Sequence, residues 1–246
     1  MTSPSFDGVA AEYDVVRPDY PGPLFDAIES AMGQPLLWSQ ACDVGAGTGI
    51  ASRALAGRGA TVTAVDRGEG MLRVLKARST SRVRAVVGDG NALPLASGTF
   101  DLVTYAQSFH WTDPARSLAE AFRVLRPGAL LAVWWNRHDR SVPWYARHEE
   151  RLFRACGWPG PDEGATLAED LAAPPWNRRV ATVSLPWSRR ISLRDLGRTI
   201  RTKSYVIALG DRADEVVEAE LGLLAGEHPD GHVDEPFTTY AVLARA

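Results

Sequence analysis

The sequence predicts an α/β fold, a mostly parallel sheet with helices on both faces, and three observations predict it. The stretch Ala41-Cys-Asp-Val-Gly-Ala-Gly-Thr-Gly49 sets a glycine loop between a short apolar run and Ile50 to Arg58, small residues that read as a helix packed close to a sheet. The β-branched run Thr61 to Val65 then ends in Asp66, about twenty residues after the glycines, the spacing of a βαβ unit. Beyond it, strand-like and helix-like runs alternate towards the C-terminus, as in a sheet covered on both faces.

The glycine loop carries the first chemical inference. Glycines at 45, 47 and 49 let the main chain turn sharply and approach a ligand more closely than a Cβ would allow, and the following helix points its positive end at that ligand. The spacing is G-x-G-x-G, with neither the Lys-Ser/Thr ending of a P-loop nor the G-x-G-x-x-G of a dinucleotide fold. Asp43 at the mouth of such a loop would repel a pyrophosphate but can hold the ammonium of an amino acid whose carboxylate sits on the helix N-terminus. S-adenosylmethionine carries such a zwitterion, followed by a ribose diol and an adenine.

Polar residues suited to both follow at the ends of the next strands. Asp66 is placed for the ribose diol. Arg82 to Val87 forms a third strand running into Gly88-Asp89-Gly90-Asn91, where Asp89 can accept from the adenine amine and the backbone around Asn91 can reach a ring nitrogen. Phe100 to Thr104 is the fourth strand. With these residues the chain resembles the class I, seven-stranded S-adenosylmethionine-dependent methyltransferases, and within them the small-molecule branch related to trans-aconitate methyltransferase. The resemblance implies a Rossmann-like seven-stranded sheet, mostly parallel with the last strand antiparallel, and S-adenosyl-L-methionine as cofactor. The cofactor-binding set it implies is Asp43, Gly45, Ala46, Gly47, Gly49, Asp66, Arg67, Met71, Asp89, Gly90, Asn91 and Gln107.

Taken in order, 246 residues fit a single domain: an arm and helix over 1–34, a cofactor-binding core over 35–136, and a helical lid over 188–232 between strands six and seven. A net charge of −3 gives no reason to expect nucleic acid or an anionic membrane as partner. Cys42 and Cys156 lie far apart, no secretory leader precedes the first strand, and no apolar run reaches the length of a membrane span, so a reducing cytoplasm is expected. Pro18, Pro21 and Pro23 send the arm across the surface before a helix from Pro23 to Ala31. Its Tyr-Asp, Arg-Pro, Tyr-Pro pattern is shared with the small-molecule branch, and Tyr13 is the candidate ligand contact, the alternative being a wrap that caps the sheet. Gly68 stands where the family has a capping serine, so the helix to Ala77 begins with only Glu69 to favour its dipole.

The fourth strand is expected to continue through Tyr105 to Trp111, with Thr112 or Asp113 capping a helix that opens on Pro114 and runs through Leu125. A fifth strand spans Ala129 to Trp135. The adjacent His138 and Asp139 lack a third ligand at metal-binding spacing, so no metal is expected. A helix over 142–155, a loose stretch through Pro174-Pro175-Trp176, a sixth strand over 180–185, a helical pattern over 191–209 broken near Lys203-Ser204, a helix over 214–224 and a seventh strand over 236–244 complete the chain. Trp144, Trp176, Tyr205 and Arg201 are candidate pocket-lining residues of the lid.

Ligands bind outside the carboxyl ends of strands in open α/β sheets, which brings His110 and Trp111 to the methyl acceptor. Two roles stand open. His110 can take a proton from a hydroxyl, amine or acidic carbon, or the imidazole and the indole N–H can hold a carboxylate with no proton transfer. The expected function is methyl transfer to a small molecule, with His110, Trp111 and Tyr13 at the reacting centre and a carboxylate as the favoured acceptor. The alternatives are acceptors that need His110 as base, or a cofactor-binding protein that does no chemistry.

Overall fold

The computed structural model describes residues 17–159 and 167–246. Helix α1 (Gly22–Met32) enters on Pro21 and stops at Gly33, whose φ of 71° lets the chain leave in the left-handed region. Strand β1 (Gln40–Val44) leads through the glycine loop into α2 (Ile50–Gly57); β2 (Thr61–Asp66), α3 (Glu69–Arg78), β3 (Val83–Val87) and β4 (Phe100–Ala106) follow. A 3-10 turn (Phe109–Trp111), α4 (Pro114–Val124), β5 (Leu125–His138), α5 (Pro143–Cys156), α6 (Leu167–Ala172), β6 (Val180–Ser192), α7 (Leu193–Arg201), α8 (Ser204–Ile207), α9 (Ala213–Glu227) and β7 (His232–Arg245) complete it.

The sheet has the strand order 3-2-1-4-5-7-6. Strands β1 to β5 pair in parallel, while β7 runs antiparallel between β5 and β6. This is the seven-stranded, mostly parallel arrangement with an antiparallel last strand. One apolar layer sets α1 and α2 on Ala41, Val62, Leu102, Ala132 and Trp134. The opposite layer sets α4 on Val44, Val103, Leu131 and Val133. Alternate residues of each central strand therefore feed opposite layers, which is why these strands are apolar almost throughout.

Three expected boundaries moved. The fourth strand ends at Ala106 because Gln107 takes φ 58°, and the chain turns into the 3-10 segment instead of continuing as strand to Trp111. β5 is 14 residues and β6 is 13, each longer than the apolar run that signals it, because β7 supplies backbone partners to β5 from Leu130 through His138 and to β6 along its whole length. The span 188–232 accordingly begins inside β6 and ends on β7, and its helices are α7 to α9. They share a cluster of their own, built on Leu193, Leu196, Ile200, Val206, Val217 and Leu224, and Leu152 of α5 joins it. Among the described residues no helix is long and apolar enough to cross a membrane.

The helical layer meets the sheet at Glu235. This fully buried carboxylate on β7 accepts from Arg189 Nε on β6 at 2.7 Å and lies 3.1 Å from His138 Nε2 on β5. Burial alone would raise its pKa, but His138 and Arg189 hold it down to about 2. His138 itself, held at about 4 by burial and by the charge of Lys203, is neutral near pH 7. Because the folded pKa of Glu235 lies below the unfolded one, its contribution is complete above about pH 4.5 and fades as pH falls towards 2. Glu235→Gln should lower the unfolding free energy at pH 7 by about 3 kcal/mol, since Arg189 would face an amide in a buried site. Denaturant titration checks this, and the gap between variant and wild type should narrow below pH 4.5.

Candidate functional site

The glycine loop joins β1 to α2 above a carboxylate. Asp43 is fully buried, accepting from Ser52 Oγ at 2.6 Å and from Thr104 Oγ1 at 2.9 Å. The Ser52 backbone N–H adds a third bond, so Asp43 anchors the first turn of α2 from below. The expectation put this carboxylate at the mouth of the loop; the structure puts it under the floor. Burial, partly offset by the Ser52 and Thr104 hydroxyls, pushes its pKa up to about 6.

The three loop glycines differ in what they do. A Cβ at Gly45 would meet Ser108 Cβ at 2.5 Å and one at Gly49 would meet Leu75 Cγ at 2.8 Å, so both permit packing; Gly49 is itself buried. Gly47, with φ +55°, has nothing within 4 Å of where a Cβ would be. It is the position that opens outward. The loop's N–H groups turn inward, against expectation: Gly45 and Ala46 donate to the Val65 carbonyl at 2.8 and 3.0 Å, and Gly47 donates to Asp66 Oδ2 at 2.8 Å. The other oxygen of Asp66 accepts from Gly68 N at 2.8 Å. Each carboxylate oxygen keeps a second lone pair for a ligand hydroxyl, while Arg67 beside it is exposed.

The loop after β3 is fastened to α4. Asp89 Oδ1 accepts from Asn91 N at 2.9 Å, the Asn91 side chain accepts from Asp113 N at 2.9 Å, and Ser117 Oγ donates to the Gly90 carbonyl at 3.3 Å. Gly90 is buried, and a Cβ there would strike Val44 Cγ1 at 2.9 Å. Met71 is buried too, at 7% exposure. Asp43, Gly49, Gly90 and Met71 are thus buried beneath the loops, while Gly45, Ala46, Gly47, Asp66, Arg67, Asp89 and Asn91 are at least partly exposed. Gln107 turns towards β5 instead, its Nε2 donating to the Asn136 carbonyl at 3.1 Å. An open cradle at Gly47, with carboxylates at the ends of β2 and β3, fits a ligand rich in hydroxyl and amine donors, as S-adenosylmethionine is.

At the carboxyl end of β4 the 3-10 turn presents His110 and Trp111, both exposed, with ring centroids 4.8 Å apart. Trp135 Nε1 donates to His110 Nδ1 at 3.3 Å. An indole N–H can only donate, so in the neutral imidazole the proton is on Nε2. Partial burial draws the His110 pKa below the usual imidazole value. Sequence reasoning missed Trp135, reading it only as the last residue of a strand. The signal was its position: Ala106 pairs with Trp134, which puts Trp135 opposite the point where β4 ends.

Of the other candidates, Tyr13 lies outside the described residues. Trp176 packs on Phe122 of α4, and Arg201 pairs with Asp214 and Glu218 at 2.7 and 2.6 Å, so neither joins this site. Trp144 stands edge-on to Tyr145 and to His228 within the helical layer, and Tyr205 stacks on Trp158. Asp139 does not join His138, whose partner is Glu235. Among the described residues no three His, Cys, Asp or Glu side chains cluster as metal ligands.

Comparison with known proteins shows the methyltransferase family. Residues 42–133 match the family described as a methyltransferase domain. An uncharacterised methyltransferase of Mycobacterium tuberculosis is 32% identical over 203 residues, covering 82% of this chain and 78% of that protein. A solved structure described as a type II methyltransferase of Anaeromyxobacter dehalogenans superposes with a TM-score of 0.70 at 26% identity, covering 93% of this chain and 96% of the other. The fold also matches Haemonchus contortus phosphoethanolamine N-methyltransferase 2 in complex with S-adenosyl-L-methionine, with a TM-score of 0.56 at 17% identity over 97% of this chain and 57% of that one.

The buried Asp43 gives a test that needs no substrate. A carboxyl whose folded pKa lies above its unfolded value binds its proton more tightly when folded, so it costs stability as pH rises. The cost is absent below about pH 4 and complete above about pH 6. Asp43→Asn, uncharged at every pH, should raise the melting temperature at pH 8, by an amount equivalent to about 2–3 kcal/mol, with the advantage gone near pH 4. Paired thermal melts at the two pH values check it.

Proposed function

We propose that this chain, which belongs to the class I S-adenosylmethionine-dependent methyltransferases, transfers a methyl group to the carboxylate of a small molecule. When bound, S-adenosylmethionine supplies a methyl group on a sulfonium whose departure as a neutral thioether needs no acid. Asp66 addresses the ribose diol, Asp89 the adenine amine, and Gly47 gives the room for close approach, with Asp43 holding the helix beneath. The helices between β6 and β7 enclose the acceptor.

The observation that carries the carboxylate reading is the Trp135 to His110 hydrogen bond. With the Nδ1 lone pair engaged and the proton on Nε2, neutral His110 has no free lone pair with which to take a proton. It offers an N–H, and so does the half-exposed indole of Trp111. A pair of donors suits an acceptor group that is already anionic, and a carboxylate is ionised near pH 7 and needs no base. The residues then contribute alignment of the nucleophile. Acceptors that must lose a proton would require the other tautomer, and the Trp135 N–H opposes it.

Labelled cofactor and a panel of small organic acids test this. The product should release labelled methanol in mild alkali, as methyl esters do and N-methyl, C-methyl or ether products do not. The rate should be flat between about pH 6 and 8, and His110→Asn should chiefly raise the KM. Trp135→Phe should raise the KM severalfold while leaving the profile flat. A rate that climbs tenfold per pH unit through the imidazole range, with an alkali-stable product, would assign His110 as a base acting on a hydroxyl, amine or carbon.

A further inference from the structure

Lys203 is one of two lysines in the chain, the other being Lys76. It stands between α7 and α8, only partly exposed, and its Nζ donates to the Tyr145 hydroxyl at 3.2 Å. The same atom lies 5.9 Å from the ring centroids of Tyr145 and of Tyr205. An ammonium has three N–H donors. This one has a single neutral hydrogen-bond partner among the described residues, and the carboxylates near it are engaged elsewhere: Glu149 with Arg140 at 3.1 Å and Glu235 with Arg189 at 2.7 Å. Burial and the charge of Arg17 act against the ammonium, with Glu149 and Glu235 compensating from a distance.

Beside it the Tyr205 hydroxyl is buried and makes no hydrogen bond among the described residues. Burial pushes its pKa up, as it does for Tyr145, so both phenols keep their protons and can donate. A buried hydroxyl without a partner and an ammonium with unused donors are each costly alone. Together they describe a site for an anion. β5 relates it to the imidazole: Trp135 bonds His110, and His138, three residues further along that strand and on its opposite face, stacks on Tyr145 with ring centroids 4.5 Å apart. Three residues of strand span on the order of 10 Å.

We propose that Lys203, with the hydroxyls of Tyr205 and Tyr145, binds a second anionic group of the acceptor, a carboxylate or a phosphate, remote from the group that is methylated. The acceptor is then an elongated organic acid with an anionic group towards each end, its stem flanked by the two phenol rings. This rests on the methyltransferase reading above and narrows its substrate class.

With only two lysines, protein labelled with 13C at the lysine ε-carbons gives two signals, assigned by loss of one in Lys203→Gln. Glutarate, inorganic phosphate and chloride are titrated at constant ionic strength, and calorimetry with S-adenosylhomocysteine is run on the same wild-type sample. Glutarate or phosphate should move the Lys203 signal saturably, chloride should not, and the Lys76 signal should stay. Whichever anion saturates at lower concentration names the group. Tyr205→Phe should weaken that binding roughly fivefold. A Lys203 signal that moves no more than that of Lys76 with either anion, or an affinity unaltered in Tyr205→Phe, would overturn the site. Absence of S-adenosylhomocysteine binding would instead overturn the premise, and the lysine signals would still report on the anion site by themselves.

Discussion

A fully buried carboxylate at the centre of the sheet sets the geometry of the loop above it. Asp43 links three elements at once: it belongs to β1, takes the Thr104 hydroxyl from β4 and takes the Ser52 hydroxyl from α2. Burying a charge in this way is expensive, and its raised pKa expresses that cost. In return the first turn of α2 is fixed relative to the strands. The loop between them then has one way to run, with Gly45 against Ser108, Gly49 against Leu75, and Gly47 outward.

The same economy appears at the far end of β5. Successive residues there face different partners: Trp135 reaches His110, Asn136 donates to the Asp19 carbonyl and accepts from Thr239, and His138 meets Glu235 and Tyr145. One strand end therefore ties the 3-10 turn, the segment at Asp19, β7 and the helical layer together.

Much of this was legible in the sequence because backbone demands leave marks in residue type. Glycines at 45, 47 and 49, the β-branched run into Asp66 and the Pro114 helix start each announce a local conformation, and the seven strands appear where apolar runs predict them. Three things were not legible. Which loop glycine faces a ligand depends on neighbours remote in sequence, Ser108 and Leu75. The direction of Asp43 depends on hydroxyls at 52 and 104 that carry no motif. The lengths of β5 and β6 come largely from pairing with β7, so their polar ends, including Asn136 to His138, read as loop until the partner strand is known. Lys203 gave no signal beyond its rarity, because a lone lysine near a helix break is ordinary until rings and hydroxyls are placed around it.

The central claim is that the cradle formed by Gly47, Asp66 and Asp89 binds the adenosyl cofactor, and calorimetry tests it most directly. S-adenosylhomocysteine should bind the wild-type protein in the micromolar range, about −7 to −8 kcal/mol, with no heat from NAD, and Asp66→Ala should weaken it by roughly 1.5 to 3 kcal/mol as charge-assisted hydrogen bonds to the diol are lost. An affinity unaltered by Asp66→Ala, or NAD binding as tightly as S-adenosylhomocysteine, would contradict it.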